Sequence, residues 1–225
     1  MKGKPDWVGG KYEDIINELR LALYDFEMGI IDFQSFINRI NKSLINHDYD
    51  PVKVIRSDTM TELFGGAYAV YVPHRLTSII YVSTELMNGP RTFLGRVLMH
   101  EVFHHVLYQR PPSLLFKLAP KRGGEPLFLI ISPLIFLIAL AIPFNNVLLD
   151  FLPHILIGVS ATMALTIAVL IKALSRHELV ATALVIYLIT GRWVTDWVYY
   201  HDENALMNLK WRDEVRPREI IVMQR

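Results

Sequence analysis

Arg91-Thr92-Phe93-Leu94-Gly95-Arg96-Val97-Leu98-Met99-His100-Glu101-Val102-Phe103-His104-His105-Val106-Leu107-Tyr108-Gln109 is the stretch on which the fold turns. Asn88-Gly89-Pro90 breaks the chain before it, and Leu94, Val97, Leu98, Phe103, Val106 and Leu107 then recur at helical intervals, which predicts a helix over residues 91–109. Inside that helix His100-Glu101-Val102-Phe103-His104 has the form HExxH. Positions four apart on a helix return to within about 40° of one another, so both imidazoles leave the same face and can bind one Zn²⁺. Glu101 stands beside them, placed to take a proton from water on the metal and return it to a departing amine. With 8 histidines in 225 residues, chance placement yields roughly 0.01 copies of this pattern, and the copy falls where a helix is expected on independent grounds. His105 lies one residue off the metal face and reads as an outer-sphere or solvent-facing group.

A catalytic zinc needs a third protein ligand and an open position. The candidates downstream are Glu178, in Ser175-Arg176-His177-Glu178-Leu179-Val180-Ala181-Thr182, and Asp150. His177 is a weaker substitute. Ser175 has the chemistry of an N-cap for a helix that continues through Ala183, Leu184 and Ile186. Between the HExxH helix and this segment, residues 111–126 hold Pro111, Pro112, Pro120, Pro126 and Gly123-Gly124, a linker composition. From 127 to 171 the only charged residue is Asp150, in a polar interruption between two apolar runs, 127–144 and 151–171. Helices over these runs are about 27 and 31 Å long, against a bilayer core of about 30 Å, which predicts a two-span hairpin. Lys and Arg flank the hairpin and are absent from its loop, so the loop is expected outside and both flanks in the cytoplasm. Two crossings return the chain to the side of His104, which favours Glu178. Asp150, after one crossing, is expected out of reach.

Upstream, residues 12–28 carry Ile15, Ile16, Leu19, Leu21, Leu23 and Phe26 near helical spacing with Gly29 as a stop. A second helix is expected from the N-cap Asp32 through Phe33, Phe36, Ile37, Ile40 and Leu44, ending near Asn46 and His47. Residues 67–72 and 78–82, rich in Tyr, Val and Ile, read as a pair of strands. The net charge of +1 shows no electrostatic footprint for nucleic acid, which is excluded as a partner. There are no cysteines, so any metal sits on His, Asp or Glu. The first residues lack the apolar run of a signal peptide, which places the N-terminus in the cytoplasm.

The HExxH helix, two expected spans, Ser175-Arg176 and a Glu178-x-x-Ala181 segment together resemble the HtpX and CAAX prenyl protease family of membrane zinc metallopeptidases. The resemblance covers roughly residues 65–185. It implies a zincin-like core of the gluzincin type, with His100, His104 and Glu178 as zinc ligands and Glu101 as the catalytic glutamate. It also implies that 67–69 and 79–82 contribute to an edge strand along which substrate backbone pairs, and that a downstream cation or imidazole, Arg192 or His201, stabilises the oxyanion. The sequence departs from the family at specific positions. Thr182 stands where the family usually has Asp to orient a zinc histidine, and Val102 replaces a second motif glutamate.

The expected architecture is mainly α (α+β), a zincin-like metalloprotease core with a small β-sheet and a two-helix transmembrane hairpin inserted between the HExxH helix and the third-ligand helix. Its parts are 1–110 (N-terminal helices, edge strands and HExxH helix), the linker 111–126, the hairpin 127–171, and 172–225 (third-ligand helix and C-terminal segment). The expected function is a membrane-anchored zinc endopeptidase with one Zn²⁺ per chain, acting on membrane or membrane-proximal proteins from the cytoplasmic side. The competing expectations are a site-2-type intramembrane metalloprotease and a non-catalytic membrane scaffold with a vestigial zinc site.

Overall fold

The structure, a computed structural model, describes residues 4–59, 62, 66–74, 77–112, 148–196 and 203–212. Among them the elements are α1 (Lys11–Glu27), α2 (Phe33–Asn46), β1 (Val52–Ser57), β2 (Ala69–Val72), β3 (Ser78–Ser83), α3 (Thr84–Met87), α4 (Arg91–Gln109), α5 (Leu148–Thr190) and α6 (Glu203–Met207). The chain forms two compact units, Met1–Pro112 with Glu178–Arg225, and Ser113–His177.

Helices α1 and α2 form where the apolar spacing predicts them. Gly29 adopts the left-handed φ of 73° that ends α1, and its N–H bonds the Phe26 carbonyl. Asp32 caps α2 by accepting the Ser35 N–H at 2.7 Å. The two helices bury Ile15, Ile16, Leu19 and Leu23 with Phe36, Ile40 and Leu44, and Phe26 stacks on Phe36 with centroids 4.4 Å apart.

Helix α4 crosses this pair at Gly95, whose side with no Cβ lets the backbones approach. A methyl there would meet Leu23 Cδ1 at 2.8 Å and Phe26 Cδ1 at 3.1 Å, both in fully buried side chains. Overpacking costs about 1 to 3 kcal/mol, against a helix-propensity gain of about 0.8 to 1.0 kcal/mol for Gly to Ala. Gly95→Ala is therefore expected to lower stability by about 1 kcal/mol in urea titration. A Gly95→Ala variant as stable as the native chain would show that α1 can yield.

The sheet has the order β1-β3-β2, with β1 parallel and β2 antiparallel to β3. The parallel strand β1 is an addition to the pair expected from sequence. Its outer edge is closed at Val52, where the Asn41 side chain donates to the Val52 carbonyl and accepts the Val52 N–H at 3.1 and 2.9 Å, in the manner of a neighbouring strand. The other edge strand, β2, packs against α4.

The expected membrane architecture is corrected here. Among the described residues, no helix is long and apolar enough to cross a membrane. The first expected span, 127–144, lies outside the described residues, as does linker segment 113–126. The second is not a separate span, because 151–171 belongs to one 43-residue helix, Leu148–Thr190, that continues unbroken into the Glu178 segment. Ser175, expected to start a new helix, lies in its interior, and Asp150 in its first turn. The fold is a small mixed α/β protein with six α-helices and a three-stranded sheet among the described residues. Among the described residues there is no membrane-spanning helix of the kind that the inserted two-span hairpin requires. The placement as a two-span integral membrane protein with cytoplasmic termini and active site falls with it.

With the spans goes the count of crossings that favoured Glu178. What brings that residue in is packing: after Glu178, α5 is buried nearly all round through Val180, Ala181, Leu184, Val185, Leu188 and Ile189. A helix apolar on every side belongs in a core. It is tied to α1 by Arg20 Nε, which donates to the Leu188 carbonyl at 2.9 Å.

Candidate metal centre

Two helices each contribute an i, i+4 pair. On α4 these are His100 and His104, and on α5 Glu178 and Thr182. His100 Nε2 and His104 Nε2 lie 2.9 Å apart, and Glu178 Oε2 is 3.2 Å from the first and 3.0 Å from the second. A tetrahedral ion with bonds of about 2.0 to 2.1 Å separates its ligand atoms by about 3.3 to 3.4 Å. Shifts of a few tenths of an ångström thus turn this triangle into the base of such a site, and two imidazoles with one carboxylate suit zinc. The residues fit the ion.

Burial by itself pushes the Glu178 carboxyl up, but attraction from His104 and hydrogen bonds with both imidazoles outweigh it. The net displacement is well below the ordinary carboxylate range, so Glu178 is ionised, as a ligand must be. With Nε2 turned to the centre, the far nitrogen of His100 meets a hydroxyl: Thr182 Oγ1 lies 3.3 Å from Nδ1. Thr182 is buried, and accepting the Nδ1–H holds the ring with Nε2 inward.

Glu101 is the second carboxylate nearby. One of its oxygens lies within 4.8 Å of a ligand atom of each histidine. Its Oε2 accepts the Tyr71 backbone N–H at 2.6 Å. Glu178, whose Oε2 lies 3.2 and 3.0 Å from the two imidazoles, has ligand geometry, and the braced Glu101 has the geometry of a base.

Strand β2 explains why that N–H is available. The Ser83 N–H donates to the Tyr68 carbonyl, so with the observed register the hydrogen-bonded pairs are Tyr68 with Ser83, Val70 with Tyr81 and Val72 with Ile79. The backbone groups of Ala69 and Tyr71 then point away from β3, along the open edge. Tyr71 gives its N–H to Glu101, and Ala69, itself 6% exposed, turns both its backbone groups to the same side.

Other expected residues fall elsewhere. Arg192 lies past the end of α5, and Thr190 is already about 18 Å along the axis from Glu178. It lines a separate surface cavity of about 320 Å³ with Ile186, Val194 and Lys210, so it does not serve the metal pair. His201 lies outside the described residues. His105 is fully buried, which removes the solvent-facing alternative. Its partners, Tyr71 and the Asp50 carbonyl, were not singled out from the sequence. The only sequence signal for them is that Glu101 and His105 form a second i, i+4 pair beside the first. No family model matches this chain, and no curated protein or solved structure matches it.

Proposed function

We propose that this chain is a zinc-dependent endopeptidase, with one Zn²⁺ held by His100, His104 and Glu178 and with Glu101 as general base. The observation that carries this reading is the convergence of His100 Nε2, His104 Nε2 and Glu178 Oε2 to within 3.2 Å of one another, with a second carboxylate alongside. A zinc ion held by these three residues would supply Lewis-acid chemistry, polarising a peptide carbonyl and making water acidic near neutral pH. Anchored through Oε2, Glu101 has Oε1 for the water: it takes a proton as the water oxygen adds to the peptide carbon, and delivers it to the amine nitrogen as the C–N bond breaks. The open edge of β2 supports an extended peptide as substrate, since Ala69 N–H and C=O lie where a further antiparallel strand pairs. Resemblance to the HtpX and CAAX prenyl protease family points the same way.

The test is metal removal with fluorescently labelled casein as probe. The purified chain is expected to carry one zinc, to lose casein cleavage completely in EDTA, and to recover it when one equivalent of zinc is returned. A chain that holds no zinc, or one that cleaves equally well in EDTA, would refute the reading.

A further inference from the structure

The metal stripe His100/His104 has a neighbour on α4. Glu101 and His105 are also four apart, turned by about 100° from the first pair, and so form a parallel stripe that faces β2. A single residue, Tyr71, engages both. Its backbone N–H donates to Glu101 Oε2 at 2.6 Å, and its hydroxyl lies 3.1 Å from His105 Nδ1 and 3.1 Å from Ser78 Oγ. His105 Nε2 is 2.7 Å from the Asp50 carbonyl.

Chemistry sets the direction of every proton in this chain. A carbonyl only accepts, so His105 Nε2 carries the hydrogen and Nδ1 is an acceptor. The Tyr71 hydroxyl therefore donates to Nδ1, and Ser78 donates to the Tyr71 oxygen. Burial pushes the Tyr71 phenol up, so its hydroxyl keeps the proton it donates. His105 is 0% exposed, Tyr71 and Ser78 6% and Glu101 7%, so water does not substitute for these bonds freely.

We propose that Tyr71 and His105 are positioning residues for Glu101, a brace that sets the height of β2 against α4. Strand β2 is only four residues long, is followed by Pro73, and among the described residues pairs on one side alone. Its sheet bonds fix it to β3, whereas the brace fixes it to the metal helix. Because one residue supplies the hydroxyl of the brace and the N–H that holds the base, a slip of the strand moves Glu101 and the open edge beside Ala69 together. The metal ligands are on α4 and α5 and do not depend on it. The catalytic consequence rests on the peptidase reading above; the bond between Tyr71 N–H and Glu101 does not.

The variants are Tyr71→Phe, which removes only the hydroxyl, and Tyr71→Phe with His105→Leu, which also removes the imidazole left without its partner. The double variant leaves the Ser78 hydroxyl and the Asp50 carbonyl without these partners, so it is expected to melt somewhat below the native temperature. If the network served only stability, the double variant, assayed where it is folded, would keep native activity. The expected result under a positioning role is that it stays folded at the assay temperature and binds zinc within about two-fold of native affinity. Its kcat on a quenched-fluorescent peptide spanning the fastest-cut casein bond falls by about 10- to 100-fold with KM little changed, the size of loss that displacement of a catalytic group by about 1 Å produces.

A second readout needs no activity. In ¹⁵N–¹H spectra the amide of residue 71 is expected far downfield in the native chain, displaced upfield by Glu101→Gln, and displaced upfield again in the double variant. Native kcat in the double variant, an unmoved amide, or a zinc affinity lowered ten-fold or more would each overturn the brace. If the native zinc-loaded chain cuts no peptide, the peptidase reading fails, and the amide alone decides for or against the brace.

Discussion

Glu101→Gln is expected to keep its zinc and to lose hydrolysis by about 10²- to 10⁴-fold, the share general acid–base catalysis usually contributes. The substitution is conservative where it should be. The glutamine carbonyl can still accept the Tyr71 N–H that Glu101 Oε2 accepts at 2.6 Å, so the side chain stays in place. What it loses is basicity, because an amide takes no proton from water near neutral pH. The measurement is zinc stoichiometry together with casein cleavage on the same preparation. Glu178→Ala is the complementary variant. It removes one of the three converging donor atoms, and its zinc affinity is expected to fall by more than the about 10- to 100-fold that loss of an outer-sphere partner produces. Full activity in Glu101→Gln would end the general-base assignment, and native zinc affinity in Glu178→Ala would end the ligand assignment.

Glu27→Ala is expected to be the most destabilising single change in the chain's first unit. Arg96 Nε and Nη2 donate to the two carboxylate oxygens of Glu27 at 2.7 and 3.0 Å, with side-chain exposures of 3% and 2%. The same guanidinium donates through Nη1 to the Leu206 and Met207 carbonyls at 2.7 and 2.8 Å, ending α6, and Trp211 Nε1 donates to Glu27 Oε2 at 2.8 Å. Removing the carboxylate strands a buried cation, at a cost of about 3 to 5 kcal/mol. For a chain of this size that lowers the melting temperature by roughly 6 to 20 °C. By contrast, Glu13→Ala, which breaks the half-exposed pair with Lys4, should cost less than about 1 kcal/mol. Thermal melts of the two variants side by side check the prediction. Equal shifts would mean that the buried pair is replaced by water in the variant.

Much of the local structure was legible in the sequence because local chemistry decides it. The helix expected over 91–109 is α4, Arg91–Gln109, since Pro90 stops the preceding turn and the apolar spacing supplies the rest. Asp32 caps α2 as its side chain requires. Strand β1 was missed because Val52-Lys53-Val54-Ile55-Arg56-Ser57 alternates imperfectly and its parallel partner lies a loop and a strand further on. The second apolar run reads as a separate span because composition does not show that 151–171 and the Glu178 segment form one continuous helix, Leu148–Thr190.

By itself, then, the sequence determined that two imidazoles share a helix face with a carboxylate beside them, because a repeat of four residues on an α-helix permits no other arrangement. Which distant carboxylate meets them was decided only by the tertiary structure, where burial of Val180 to Ile189 in the core carries Glu178 and Thr182 to His100 and His104. The hold of Tyr71 on Glu101 and His105 was decided there too. It depends on which way an edge strand turns its N–H, and strand pairing, not residue type, sets that direction.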